Sequence, residues 1–472
     1  DGRSDHVEVR GKATLDPGAV LVVEHSPGEY PLNTDYGILS SSEAIEGTFS
    51  PVESDRPFLD FRVTSEDDRR LLNLHLGRSD TSFESLGRTR NQRSVARALG
   101  TLDAGEEGSL YRQLVWMTEE EALEAYDSLS GEVHATGHSM PADIGRRLRG
   151  QLMKRMSGLT GSSSTRGGEL QANSLASLAV ADADPAPAPA TADSGAGPAA
   201  WMEVFAGTGT LDGDGNAAEA RTSSWGGLIG AEMLFSEHFG MGLALGYQDD
   251  RVKLDGRSSR LEVDTYSLST YGMWRSGAWS LRGGAGFAWH DFESERTISL
   301  PSGNRRAEAD YDGWSAQVFG EVGHRFDLED LVVEPFAGLA FHHSRTESYR
   351  ESGAGDANLE VGKDRHSALY STIGVQVSET FELDDGLRLR PFATLGWEHR
   401  LTGSSGDADL AFAAGGSRFT VSGPKRSKDA ALVGVGLDIG LGSGVEAFGA
   451  YDGYLSRRQH DHTARAGLRV RF

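Results

Sequence analysis

Apolar and polar positions alternate with a period of two at the end of the chain. Ala464, Ala466, Leu468, Val470 and Phe472 share one face of the strand this predicts, and Arg465, Gly467, Arg469 and Arg471 share the other. One side is greasy and the other charged, with no chain left to cover either. That pattern fits lipid outside and a wet lumen inside. The alternation recurs upstream. Phe239, Met241, Leu243, Leu245 and Tyr247 alternate with Gly240, Gly242, Ala244 and Gly246. Trp279, Leu281, Ala285, Phe287 and Trp289 alternate with Ser280, Arg282, Gly284, Gly286 and His290, and Val445, Ala447 and Tyr451 oppose Glu446 and Asp452. Twelve strands are predicted, near 201–208, 223–235, 239–250, 261–275, 279–291, 309–325, 332–345, 366–379, 387–400, 428–440, 445–456 and 462–472.

Connector lengths add independent information. Ser236 to His238, Ser276 to Ala278, Asp327 to Leu331, Thr380 to Gly386 and Leu441 to Gly444 are short, whereas Thr210 to Thr222, Phe292 to Glu308, Thr346 to Arg365 and Leu401 to Ser427 are long and polar. Short and long connectors alternate, as in outer-membrane barrels with tight periplasmic turns and longer external loops. Trp201, Trp225, Trp274, Trp279, Trp289 and Trp397 lie near strand ends, where interfacial girdles are expected. The fold class predicted for 200–472 is a 12-stranded transmembrane antiparallel β-barrel. Arg465, Arg469, Arg471, Glu446 and Asp452 face its lumen. A large soluble all-β domain is the alternative, and the loop asymmetry and the arginine-lined last strand argue against it.

Residues 1–80 show short apolar runs, Ala19 to Val23 and Phe58 to Val63, separated by Pro and Gly turns. They suit the terminal rungs of a parallel β-helix, although no strict repeat is visible. Over 81–157 the period becomes helical. Val95, Ala96, Leu99 and Leu102 form one apolar face, and Thr118 to Glu121 opens a second helix with a capping-box pattern. The segment 141–157 sets Arg146, Arg147, Arg149, Lys154 and Arg155 among Ile144, Leu148, Leu152 and Met153. A basic helix in an acidic chain suggests a helix threaded through the lumen, facing inward acids such as Glu446 and Asp452. A solvated charged helix is the alternative. Residues 158–199 are rich in Gly, Ser, Ala and Pro and read as a linker. A weak helix within it, 168–181, competes with 141–157 as the lumen plug.

Composition narrows the function classes. The net charge of −24 argues against nucleic acid as a partner. No stretch approaches the ~18 apolar residues of a membrane helix, so any membrane crossing uses strands. Cysteine is absent among 472 residues, which suits passage through a narrow pore. Asp1-Gly2-Arg3-Ser4 is not a charged-then-apolar leader, so the chain is expected to be the mature or C-terminal part of a longer precursor.

Catalytic, cofactor and metal sites are not expected. Gly137-His138-Ser139-Met140-Pro141 superficially resembles the nucleophile turn of subtilisin-like proteases, but it lies in the helical pre-barrel segment without the preceding Asp and His blocks. Asp212 to Asn216 begins like a calcium loop, yet Ala217 stands where the sixth-position glycine belongs. His342 and His343 are adjacent on a strand and point to opposite faces. Gly434, Gly436 and Gly440 are read as room for a lumen helix rather than a nucleotide motif.

Several segments resemble classical (type Va) bacterial autotransporters over nearly the whole chain and in the right order. Gly37-Ile38 through Gly47-Thr48-Phe49 and Pro57-Phe58-Leu59 resemble the closing rungs and autochaperone region of the passenger. Asn91-Gln92 with Ala96 and Leu99, and Leu129 to Ala135, resemble the segment before the barrel. Trp201 through Gly207, Ala288 to Asp291 with Arg296, Ala309 to Asp312 with Gln317 to Glu321, Glu334 to Ala340, and Gly396 to His399 resemble the barrel. Gly467, Leu468, Val470 and Phe472 belong to an ending similar to the signal read by the barrel-assembly machinery. The resemblance implies an outer-membrane translocator with a helix in its lumen, which secretes and displays its own upstream passenger and leaves residues 1 to about 80 at the cell surface. The implied partners are outer-membrane lipid, the assembly machinery and periplasmic chaperones, with the chain a monomer. The Asn-Asn pair of one self-cleaving subgroup is missing before the barrel. The alternatives are a porin- or adhesin-like barrel, or the anchor of a serine protease or esterase whose catalytic part lies upstream of Asp1.

Overall fold

The computed structural model describes residues 4–25, 30–103, 105, 109–161, 197–383, 387–403, 406–442 and 444–472. Twelve long strands pair antiparallel in chain order. They are Gly197–Leu211, Ala220–Ser236, Phe239–Leu254, Ser259–Ser276, Trp279–Ile298, Arg305–His324, Leu331–Thr346, Asp364–Glu379, Arg388–Thr402, Asp429–Gly440, Val445–Ser456 and Gln459–Arg471. The twelfth returns to the first with Arg469 opposite Trp201, so the sheet closes on itself. Closure matters because hydrocarbon offers no partner to an unpaired backbone N–H or C=O. Every strand read from the alternation is present, and most extend beyond the predicted ends.

The exterior is apolar. Ile229, Leu243, Leu268, Leu281, Val318 and Leu395 point outward and are exposed, as are Trp225, Trp274, Trp279, Trp289 and Trp397. Trp201 departs from the girdle expectation. Its indole faces the lumen, where Nε1 donates to the Tyr271 hydroxyl at 2.7 Å. Its position in the alternation of Gly197–Leu211, inward with Glu203 and Phe205, outweighs the general preference of tryptophan for an interface.

The connectors at one end are less polar than their composition suggests. Phe292 to Glu308 is mostly strand, because Phe292, Ile298 and Ala307 bury their inner faces. Within the connectors, residues 347–363 and 406–428 form a four-stranded external sheet of Tyr349–Arg350, Leu359–Val361, Asp407–Phe412 and Gly415–Ser422. Its buried side chains, Leu359, Val361, Leu410, Phe412, Phe419 and Val421, share one core with the helices that precede the barrel.

Those helices are α1 (Phe83–Leu86), α2 (Arg90–Leu99), α3 (Leu110–Val115), α4 (Glu119–Leu129) and α5 (Glu132–Gly161). Thr89 and Thr118 start α2 and α4 with complete capping boxes, closed by Gln92 and Glu121. Asn91 fastens α2 to the external sheet: Nδ2 donates to the Ser422 carbonyl at 2.8 Å, and Oδ1 accepts from the Ser422 amide at 3.1 Å. The short α1 and α3 lacked enough turns to show a period. Helix α5 begins nine residues before Pro141, the start read from the sequence, and carries that proline in its interior. An interior proline costs ~3 kcal/mol in an isolated helix. Here α5 is held on both sides of the proline, by the external core before it and by the lumen wall after it. The competing segment 168–181 lies outside the described residues.

Before the helices, Val7–Val9 runs parallel to Leu39–Ser41 and Leu21–Val22 runs parallel to Val52–Glu53, with a parallel bridge from Thr14 to Glu46. The three pairings have nearly the same offset, which describes one coil of chain. The antiparallel pair Leu59–Glu66 and Leu71–Arg78 closes it.

Phe83 joins this coil to the external core, packing edge-on against Phe58 with ring centroids 4.7 Å apart. Phe83→Ala is expected to destabilise the external cap by about 3–5 kcal/mol and to leave the barrel folded. The check is loss of protease resistance in residues 4–131 with unchanged heat-modifiable gel mobility of the barrel.

Candidate functional site

Closing a strand barrel with alternating side chains fixes what its interior must hold. Each outward apolar residue is matched by an inward position, and inward charges sit in a space that only water or another part of the chain can fill. Helix α5 fills it. It enters at the end with the long connectors and finishes near Arg390, at the end with the short turns. Ile144, Leu148, Leu152 and Met156 repeat every four residues and are all buried against inward side chains that include Leu228, Tyr271 and Phe319.

The cations of α5 meet carboxylates on five different strands. Arg146 pairs with Asp461 and Arg147 with Asp250. Arg149 reaches Glu398 at 2.8 Å, Arg155 reaches Glu232 at 2.6 Å, and Lys154 pairs with Asp452. Gly434 gives Lys154 room: a Cβ there would stand 2.9 Å from its Nζ. The helix is therefore pinned from several sides of the barrel. Such pairs contribute little net stability against apolar packing, because desolvation opposes the Coulomb gain. Their effect is on register. A shift of one turn would separate several buried charges from their partners at once, and each unpaired buried charge is costly.

The inward arginines of the last strand join this network. Arg465 donates to Asp452 at 2.9 Å and lies 3.4 Å from Glu203; Arg469 lies 2.7 Å from Glu232 and 3.1 Å from Glu446; Arg471 lies 3.8 Å from Glu446. Asp452 faces Lys154 of the helix, whereas Glu446 faces strand arginines. On the same strand Leu468, Val470 and Phe472 face outward, Gly467 lies inward beside Phe448, and the Phe472 amide donates to the Pro198 carbonyl at 2.9 Å, at the seam of the barrel. The sequence reading missed Asp250, Glu398, Glu232, Glu203 and Asp461. The alternation already applied to apolar residues would have found them, since each has inward parity in its strand.

A second cluster lies at the outer mouth. Arg296 grips Glu351 through two bonds of 2.6 Å, His134 Nε2 lies 2.7 Å from the same carboxylate, and the Tyr349 hydroxyl is 2.9 Å from His134 Nδ1. The Leu359 amide also donates to Glu351, at 2.7 Å. Burial alone would raise the Glu351 carboxyl, but the Arg296 guanidinium, helped by His134, holds it at about 2. The cluster ties the first turn of α5 to an external connector.

The motifs set aside earlier have ordinary local roles. Ser139 Oγ donates to the Thr136 carbonyl within α5 at 2.8 Å. Asp214 accepts the amides of Asn216 and Ala217 in a turn. His342 is buried on the inner face, whereas His343 turns outward to Ser367.

Two outcomes are expected. Asp250→Asn strands Arg147 in the lumen and should weaken retention of α5 by about 3–5 kcal/mol, seen as faster tryptic cleavage at Arg146 and Arg147. The pair Arg147→Met and Asp250→Leu should recover most of that loss. Because Glu351 sits below its ordinary value of 4.5, its contribution, on the order of 3 kcal/mol, is complete above pH 4.5 and disappears as pH falls through about 2. Hydrogen exchange of 349–361 between pH 6 and 2 should show this loss in the wild type and not in Glu351→Gln.

A model of the autotransporter beta-domain family matches residues 200–452. An extracellular serine protease of Serratia marcescens is 29% identical over 529 residues, covering 100% of this chain and 47% of that protein. A second extracellular serine protease of the same organism is 27% identical over 523 residues, with 100% and 47% covered. The chain thus spans about half the length of these curated relatives. The solved translocator domain of the autotransporter NalP from Neisseria meningitidis matches with a TM-score of 0.50 at 19% identity, covering 70% of this chain and 96% of that one, a likeness of fold. A closed barrel of twelve strands around an internal helix, together with the family match over most of that barrel, makes this chain a member of the autotransporter family, its C-terminal half the outer-membrane translocator.

Proposed function

We propose that this chain is the carboxyl-terminal end of a secreted passenger joined to the barrel through which that passenger reached the cell surface, and that α5 is the last stretch to enter the pore and stays there as its plug. The observation that carries the reading is the set of five cation–carboxylate pairs between α5 and five barrel strands. A segment with many buried partners is held in the lumen rather than passed on. Deleting 141–157 should open the channel, read as raised ion conductance in planar bilayers.

The parallel pairs of 7–53 and the antiparallel closure at 59–78 support a terminal coil of a β-helical passenger. A coil that folds once outside cannot slide back through the barrel, so its folding biases transport outward. Removing residues 1–80 should lower surface display of an upstream fusion several-fold at equal barrel abundance; unchanged display would count against this role. The ending Gly467, Leu468, Val470 and Phe472 is proposed as the segment read by the assembly machinery, after delivery by periplasmic chaperones. Phe472→Ala should then reduce barrel abundance in the membrane.

This part of the protein is proposed to hold no catalytic site. The names of the Serratia relatives favour a serine protease as the upstream passenger over a porin- or adhesin-like barrel. The test is hydrolysis of casein by the full precursor and none by residues 1–472 alone.

A further inference from the structure

Helix α5 does not fill the lumen evenly. From Arg146 onward, cavities of about 180 Å³ and about 90 Å³ open between the helix and the wall, lined among others by Arg146, Lys154 and Asp452 and by Arg388, Arg390 and Glu446. Beside its first half lie two gaps of about 20 and 30 Å³, both lined by Arg426. Arg426 thus stands where the space between helix and wall is narrow.

Arg426 comes from the external segment 406–428, which turns into the mouth. Its Nη1 donates to Asp143 of α5 at 2.6 Å and to Gln459 of the twelfth strand at 3.2 Å, and its Nη2 donates to Ser139 of α5 at 2.9 Å. Gln459 Nε2 in turn donates to Asp143 at 3.3 Å and to Asp461 at 3.0 Å, and Asp461 also pairs with Arg146. One guanidinium thus links helix, wall and loop. The other leg of the connector presses on the same turns, and both legs reach Ser139. A Cβ on Gly406 would strike the Ala135 carbonyl, and the Asp407 carbonyl lies 3.0 Å from His138 Nδ1.

We propose that Arg426 is the seal of the pore: the helix occupies the lumen, and this external side chain closes the gap left beside it. The inference rests on the reading of α5 as a plug. It adds that occupancy by α5 alone leaves a leak. During secretion the connector must stand aside while chain passes. It can swing in only when Asp143 has arrived at the level of Gln459, so sealing is coupled to the end of transport.

The test is planar-bilayer recording of the full chain, its Arg426→Ala and Arg426→Gln variants, the exchanged pair Asp143→Arg with Arg426→Asp, and a chain lacking 141–157. Heat-modifiable mobility verifies that each barrel is folded. The wild type should be nearly silent. Arg426→Ala should conduct at least several-fold more, Arg426→Gln should fall between them, the exchanged pair should return toward silence, and the deletion should conduct most. A silent Arg426→Ala beside a conducting deletion overturns the seal and leaves the plug standing. An exchanged pair that conducts like Arg426→Ala overturns the pairing with Asp143 as its basis. A silent deletion overturns the plug and the seal with it.

Discussion

The backbone pairing of the twelfth strand with the first is the constraint from which the rest follows. In hydrocarbon an open edge would leave a row of polar groups with nothing to bond, so the sheet must close. Once it closes, side-chain alternation forces every second residue inward. This chain puts Glu203, Glu232, Asp250, Glu398, Asp452 and Asp461 at such positions, with Arg465 and Arg469 among them. The barrel therefore encloses a charged interior that its own wall does not neutralise fully. A basic helix is the complement that such an interior selects.

That complementarity favours position more than stability. Charges buried in pairs contribute little against a greasy core of equal volume, but they tolerate no slip. The apolar stripe of Ile144, Leu148, Leu152 and Met156 would hold α5 in the barrel at several depths. The pairs on five strands define one depth. Apolar packing and ion pairing thus have separate tasks along one helix, retention and register.

Much of this was legible in the sequence, for a physical reason. A strand between lipid and water must alternate, so the twelve strands and the inward arginines of the last one could be read directly. The cations of 141–157 could be read as a lumen face, because a basic helix needs an acidic counterpart. Three things could not be read. Trp201 points inward because strand parity outweighs residue preference, and composition alone suggested the opposite. The external connectors looked polar, yet Leu359, Leu410 and Phe419 are buried, since their apolar partners lie on helices more than 200 residues earlier in the chain. The start of α5 was misplaced at Pro141, because the contacts that hold the helix through that proline come from the barrel.

Those distant contacts explain how one chain can be both cargo and conduit. The external core needs α2 and α4 on one side and the hairpin 407–422 on the other, and both are present outside the membrane only after the pre-barrel segment has crossed. The Arg296–Glu351–His134 cluster has the same requirement, with two members from the barrel and its connector and one from α5. Each is a contact between parts that start on opposite sides of the pore. Under the proposed function, their formation stabilises the exported arrangement, in which both sets of partners meet. A return of the chain would have to break the external core and expose the buried carboxylate together. In the function proposed above, contacts between the conduit and its own cargo therefore favour the exported arrangement.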